Sequence, residues 1–209
     1  MILYGYFRSS AAWRVRIALH LKGLSVETRF QHLGKGEQLS CTYKAVNPQG
    51  LIPSLILDDG AVLTQSLAIC EYLDEAHPAP ALLPSTPIDR ARVRAFAQVI
   101  ACDIHPVQNL RVLKALQARG QSQDDTRVWA REVISGGFDA LETLVADQPG
   151  PFAFGDTPTL ADICLVPQMA NARRFGVELR WPRLSAIEAA CLALPAFSET
   201  HPDRQPDAE

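Results

Sequence analysis

No run of about 18 consecutive apolar residues occurs in the sequence, so no membrane-spanning helix is expected. The N-terminus has no basic segment followed by an apolar one, and the expectation is a cytoplasmic protein without a secretory leader. Neither sign of charge is in excess. Lys and Arg total 20, Asp and Glu 23, and the net charge of -3 argues against nucleic acid or an anionic membrane as a partner. Cysteine is sparse: Cys41, Cys70, Cys102, Cys164 and Cys191 are odd in number and far apart. They form no C-x-x-C pair and have no histidine at metal spacing, which excludes a disulfide framework and a zinc site and favours reduced, mostly buried thiols. Internal repeats and low-complexity tracts are also missing. What remains is a chain whose 47% hydrophobic content can build a core for one large domain or two small ones.

The stretch Tyr6-Phe7-Arg8-Ser9-Ser10-Ala11-Ala12-Trp13-Arg14-Val15-Arg16 organises the reading. Ile2, Tyr4 and Tyr6 alternate as in a half-buried strand, whereas Trp13, Ile17 and Leu21 follow a helical period. The period switches at the serines. Ser9 or Ser10 then either simply caps the helix or opens an anion site, since a helix start presents unpaired N–H groups and a positive dipole end. Arg14 and Arg16 read as a solvated or salt-bridged helix edge.

Gly23 stops this helix, and Val26, Thr28 and Phe30 alternate as a second strand, making a βαβ unit with parallel strands. Residues 31–49 read as a loop-rich segment with a short helix around 37–45. Ser54 to Leu57 and Ala61 to Leu63 flank Asp58-Asp59-Gly60 as a hairpin. Pro53 at the strand entry is either an ordinary turn proline or a cis-bond site that leaves the Ile52 backbone free to pair with an extended ligand. Gln65-Ser66 repeats the device of a hydroxyl at a helix start, so Ser66 is a cap or a second anion site.

From His77 to Pro87 prolines cluster as in an interdomain linker, dividing a domain at 1–82 from one at 88–209. The second part has no convincing strands. A long helix is expected from Ile88 to about Leu116 with a kink at Pro106, then another from Asp124 to Ala146. Thr159 and Asp162 form an acidic capping box before a buried helix reaching about Phe175. Pro182 to Leu194 gives one more helix, and the tail from His201 should wrap or fray.

Taken jointly, several motifs carry a resemblance over nearly the whole chain. They are Tyr6-Phe7-Arg8-Ser9-Ser10 with Trp13 to Leu19, Asn47-Pro48 with Ile52-Pro53, Gln65 to Ile69, Gln108-Asn109-Leu110, Leu165 to Gln168 with Asn171-Ala172 and Arg174-Phe175, and the ending His201 to Asp207. The sequence resembles the zeta-class glutathione transferases of the maleylacetoacetate (maleylpyruvate) isomerase type. That resemblance implies an α/β thioredoxin-like N-terminal domain of order β-α-β-α-β-β-α, an all-α C-terminal domain, and a homodimer. It places glutathione against the first domain, with its thiol near Ser9, Ser10 and Ala11. Ile52, ahead of Pro53, would pair with the cysteinyl backbone, Gln65 and Ser66 would hold the glutamyl end, and Gln38 the glycyl end. His105, Asn109 and Arg111 would face the cleft from the helical domain. One departure stands out: the family commonly has Ser-Ser-Cys-Ser where this chain has Ser9-Ser10-Ala11-Ala12, which excludes any mechanism needing an enzyme thiol at position 11.

The implied reaction is cis–trans isomerisation of a maleyl diketo acid, maleylacetoacetate to fumarylacetoacetate, with glutathione as a true cofactor. Thiolate addition removes the double bond, rotation follows, and elimination restores it. A free thiol has a pKa of roughly 8.5, so donors at a helix start that favour the thiolate raise the reactive fraction. Ser9 and Ser10 are the expected donors, and Arg8 and Arg174 the cations for the substrate carboxylates. Three alternatives remain open: isomerisation of maleylpyruvate, which His105 and Arg111 favour; transfer to or dehalogenation of small α-halo acids; and a non-catalytic glutathione-binding protein. Retention of Ser9, Ser10, Arg8 and Arg174 weighs against the last.

Overall fold

In a computed structural model describing residues 1–209, the chain divides into two compact units, Met1–Leu82 with Ala193–Glu209, and Leu83–Leu192. The first is built on a sheet. β1 (Ile2–Gly5), α1 (Ser10–Leu21) and β2 (Glu27–Phe30) form the βαβ crossover, with β1 and β2 parallel and Leu3 opposite Thr28. A 3-10 turn at Glu37–Leu39 and α2 (Cys41–Val46) lead to the hairpin of β3 (Ser54–Ile56) and β4 (Val62–Thr64). β3 pairs antiparallel with β1, giving the order β2-β1-β3-β4, and α3 (Ser66–Ala76) completes the expected element order. α1 and α3 pack together, and Val15, Ile17, Leu55, Ile69 and Leu73 are wholly buried.

Two expectations about this unit need correction. The strand face that is fully buried is that of Leu3 and Gly5, whereas Ile2 and Tyr4 are only half-buried, so the alternating signal marked the less buried face. Nor is the arginine pair a solvated edge. Arg14 is 1% exposed and Arg16 half-buried, because both side chains find acceptors on segments that the sequence does not place nearby.

The C-terminal ends of α1 and α3 are joined by a buried ammonium. Lys22 Nζ donates to Asp74 Oδ1 at 2.7 Å and to the carbonyls of His77 and Pro80 at 2.6 and 2.5 Å. Asp74 also accepts from the Leu82 N–H at 2.7 Å, so the start of the proline-rich segment is tied to this unit by charge-assisted hydrogen bonds.

The second unit is helical: α4 (Pro87–Gln98), a π-helical turn at Val99–Ile104, α5 (Leu110–Gln117), α6 (Gln123–Val145), α7 (Leu160–Phe175) and α8 (Pro182–Leu192). α7 is apolar over most of its surface and sits at the centre, packed by α4, α6, α8 and the π turn. Its start is fixed by the expected box: the buried Asp162 carboxylate accepts from the Thr159 N–H at 2.7 Å, the Thr159 hydroxyl at 2.9 Å and the Ala153 N–H at 2.8 Å. Burial pushes the Asp162 carboxyl up, and those three donors work against that shift.

The single kinked helix expected over Ile88 to Leu116 is instead two helices. Pro106 has no N–H for the ladder, the first helix ends through the π turn, and Asn109 starts α5 by accepting from the Arg111 N–H at 2.9 Å. The tail does not fray. α9 (Pro195–Ser198) packs on α1, and Trp13 Nε1 donates to Thr200 Oγ1 at 2.9 Å, so the last residues belong with the first unit rather than with the helical domain assigned to 88–209. None of the cysteines is in a disulfide; Cys70, Cys164 and Cys191 are buried, Cys41 and Cys102 exposed.

Candidate active site

Register explains why distant motifs meet in the first unit. Tyr4 is opposite Ser54, and Ser54 opposite Thr64, so the end of β1, the start of β3 and the end of β4 lie side by side at one end of the sheet. The chain leaving β1 reaches Ser9, the chain entering β3 carries Ile52 and Pro53, and the chain leaving β4 reaches Gln65 and Ser66. Three of the sequence-derived sites are thereby brought together by strand pairing alone.

Ser9 is the N-cap of α1, its Oγ accepting from the Ala12 N–H at 3.2 Å. The cap contributes about 1 kcal/mol and leaves the hydroxyl hydrogen to donate outward. Both roles foreseen for the serine, cap and donor at an anion site, are compatible in this geometry. Ser10 and Ala11 form the first turn, where backbone N–H groups have no helical acceptor.

The loop before Ser9 is held rigidly by residues that sequence reasoning missed. Arg16 donates from Nη2 to the Phe7 carbonyl at 3.1 Å, from Nη1 to that of Tyr6 at 3.4 Å, and from Nε to that of Thr200 at 3.3 Å. The Phe7 N–H is taken by Asp207 Oδ2 at 2.9 Å. Burial pulls the Arg16 guanidinium down to about 10, against the opposing charge of Asp207, and it stays protonated at neutral pH. Arg8, next along, is exposed, with its guanidinium carbon 5.6 Å from the centre of the Phe7 ring.

At the β3 entry the Leu51 carbonyl accepts from Tyr43 Oη and from Asn47 Nδ2, both at 2.7 Å. These two buried side chains fix the peptide ahead of Ile52, no hydrogen bond within the protein engages the Ile52 backbone, and the Ile52–Pro53 bond is cis. The Asn47-Pro48 motif is therefore a positioning device for Ile52. Gln38 lies on the short 3-10 turn, its carbonyl packed so closely on Gly50 that a Cβ there would meet it at 3.1 Å.

Ser66 is not the cap it resembles in sequence. It is the first residue of α3, and the cap position is held by Gln65 at φ 68, the sole non-glycine residue with positive φ, without a side-chain cap. Gln65 Nε2 instead donates to Gln49 Oε1 at 2.9 Å, and Ser66 Oγ accepts from Arg14 Nη1 at 3.3 Å. Arg14 stands on the same stripe as Ala11, Ala18 and Leu21; weighting that spacing above its charge was the signal that could have found it.

In the helical unit, His105 follows the π turn, half-buried, with its N–H donating to the Ile100 carbonyl at 2.8 Å. Asn109 uses its side-chain oxygen to cap α5, which leaves its amide N–H groups as donors, and Arg111 is exposed on the first turn. Arg174 lies exposed in the last turn of α7, donates to Asn171 Oδ1 and stands 5.5 Å from the Phe175 ring centre. Its neighbour Arg173 is instead committed to the buried Glu188. Two surface depressions of about 260 and 270 Å³ lie elsewhere, around Tyr43 and around Trp129, and neither is lined by Ser9, Ile52 or Ser66.

Comparison with known proteins gives this geometry its frame. The glutathione S-transferase N-terminal domain model matches residues 8–76, and the C-terminal domain model residues 88–190. The chain belongs to the zeta class of the glutathione transferases. It is 49% identical to a maleylpyruvate isomerase of a Ralstonia species, across 100% of both proteins. It superposes with a TM-score of 0.97 on the holo structure of a maleyl pyruvate isomerase described as a bacterial zeta-class glutathione S-transferase, 47% identical over 100% of both chains. A maleylacetoacetate isomerase from Anaeromyxobacter dehalogenans, solved with glutathione in its active site, is 48% identical, with TM-score 0.91, over 100% of this chain and 97% of that one. That same enzyme has also been solved with dicarboxyethyl glutathione and citrate bound, where TM-score is 0.89 and identity 48% over 99% and 96% of the chains.

For a zeta-class transferase the residues present fit glutathione, a conclusion that stands on this structure's own unsatisfied groups. The Ile52 backbone is unpaired and rigidly presented, and the α1 and α3 starts offer free N–H donors. Gln38 Oε1 is enclosed without a partner, as are Nε and Nη2 of Arg14.

Proposed function

We propose that this zeta-class enzyme isomerises a maleyl diketo acid from cis to trans with glutathione as cofactor, maleylacetoacetate to fumarylacetoacetate being the principal reading. The observation that carries the proposal is the Ser9 hydroxyl, anchored by the Ala12 N–H yet free to donate at the mouth of a helix, with no cysteine beside it. Bound glutathione supplies the nucleophile, whose thiolate adds to the conjugated alkene, permits rotation about the resulting single bond, and departs on elimination.

The protein's part is to hold charge and geometry. Ser9, Ser10 and the first N–H groups of α1 donate to the sulfur and favour its ionised form. The Ile52 backbone aligns the cysteinyl unit, Gln65 and Ser66 take the glutamyl carboxylate, and Gln38 the glycyl end. Arg8 and Arg174 hold the substrate carboxylates and the negative charge that develops during addition. The same reading assigns His105, Asn109 and Arg111 of the helical unit to glutathione binding. Relatives named for either maleyl acid are about equally similar, so maleylpyruvate is the second reading, supported by His105 and Arg111.

We further assign a homodimer and a cytoplasmic location, the latter in keeping with a fold in which no helix is long and apolar enough to cross a membrane. The deciding experiment follows the absorbance of each maleyl substrate with and without glutathione. Turnover that requires glutathione without consuming it is expected; turnover in its absence would overturn the mechanism, and net consumption of glutathione with halide release when a small α-halo acid is supplied as substrate instead would favour the transferase reading.

A further inference from the structure

Arg14 is the largest buried charge for which the fold supplies no counter-ion. It is 1% exposed, Nη1 donates to Ser66 Oγ at 3.3 Å, and Nε and Nη2 are enclosed without any partner. Burying a guanidinium in this way is destabilising unless an anion compensates it. Its only bond is to the first residue of α3, an 11-residue helix whose cap position has no side-chain cap and whose preceding backbone is held at φ 68.

We infer that Arg14 is a positioning residue that makes the start of α3 selective for a carboxylate, through Ser66. The hydroxyl of Ser66 has one hydrogen. Because Arg14 donates to its oxygen, that hydrogen is turned away from the guanidinium and outward, toward a ligand. The free N–H groups of the first turn donate in the same direction, and the enclosed charge of Arg14 lies behind them. The Ser66 hydroxyl and the first-turn N–H groups are then donors backed by positive charge, so an acceptor-only, negatively charged group is favoured over an amide, which brings its own N–H groups. The inference rests on the reading that glutathione places its glutamyl α-carboxylate at this helix, and it adds the residue that sets the charge requirement there.

The test compares glutathione with its analogue in which the glutamyl α-carboxylate is a carboxamide, measuring Kd by calorimetry for the wild-type protein, Arg14→Met and Arg14→Lys. Wild type should prefer the acid by about 10- to 100-fold, the range for loss of a hydrogen bond to a charged group. Arg14→Met should bind glutathione more weakly by a similar factor and lose the preference, while Arg14→Lys, which keeps a cationic donor, should recover part of both. Thermal melts give an independent readout. Without ligand, Arg14→Met should melt no lower than wild type, because an uncompensated buried charge has been removed, and with saturating glutathione the order should reverse. Retention of the full preference in Arg14→Met, where wild type shows it, overturns the inference alone. Absence of any preference in wild type overturns the glutamyl placement as well.

Discussion

The carboxylate of Asp207 accepts the backbone N–H of Phe7 at 2.9 Å, across 200 residues of chain. On the other side of the same peptide run Arg16 holds the carbonyls of Tyr6 and Phe7, so the approach to Ser9 is clamped between the protein's last segment and its first helix. Truncation after Gln205 removes the clamp and leaves the Phe7 N–H without its acceptor. A loss of about 1–3 kcal/mol in urea unfolding is expected, the cost of orphaning such a donor. The turnover of the folded fraction should fall with it. A truncated protein with wild-type stability and turnover would show that the tail plays no part in shaping the site.

Ser9 serves two ends, and they separate experimentally. Ser9→Ala should cost about 1 kcal/mol of stability through the lost cap. It should also lower kcat by roughly 100-fold, the lower end of the loss of a donor to developing charge. Glutathione Kd should change far less. Ser9→Asn restores a cap without placing a hydroxyl at the sulfur, so it should recover stability and leave kcat low; recovery of both would reduce Ser9 to a helix cap.

Gly137 on α6 faces the π turn, where a Cβ would fall 2.3 Å from Ile104 Cδ1 and 2.4 Å from Cγ1. Gly137→Ala should therefore destabilise the helical unit by about 1–3 kcal/mol through overpacking. The strain would displace the turn leading into His105 and Asn109. With Ile104→Ala in the same protein the two losses should be less than additive, which thermal melts of the two single variants and the double variant read directly. If the losses add in full, the contact is not the cause.

Two helix starts in the second unit carry acid-sensitive caps. The Asp125 carboxylate accepts from the Ser122 hydroxyl and N–H, and Asp89 from the Thr86 hydroxyl, and these bonds hold both carboxyls below their ordinary range. A folded-state pKa below the unfolded one means a contribution that is complete above the ordinary carboxylate range and is lost as pH falls through the lowered value. Amide-exchange protection factors in the first turns of α4 and α6 should drop on acidification before those of α7 do. Asp125→Asn should show the low value at α6 already at neutral pH; unchanged protection in that variant would assign the cap to Ser122 alone.

Much of the architecture was legible because it is local. The switch of hydrophobic period at Ser9, the glycine stop at Gly23, the hairpin at Asp58-Asp59-Gly60 and the box at Thr159 and Asp162 each depend on residues only a few positions apart. Turn chemistry and capping act at that range, and the structure forms every one of these features. The motifs around Ser9, Ile52 and Ser66 were likewise visible as starts of helix or strand.

What tertiary structure decided involves partners far away in sequence. Charge alone marked Arg14 and Arg16 for the surface, yet acceptors at Ser66, Thr200 and the Tyr6–Phe7 backbone draw them inward. A hydroxyl before a helix reads as a cap, yet the positive φ of Gln65 moves Ser66 inside the helix and leaves its oxygen to Arg14. Proline at position 106 read as a kink in one long helix, but the π turn and the Asn109 cap make two helices. Sequence determined which segments become strands and helices, since propensity and capping are properties of neighbours. The fold determined which charges are buried and what they face, since the cost of burial is set by groups that meet only when the chain has closed.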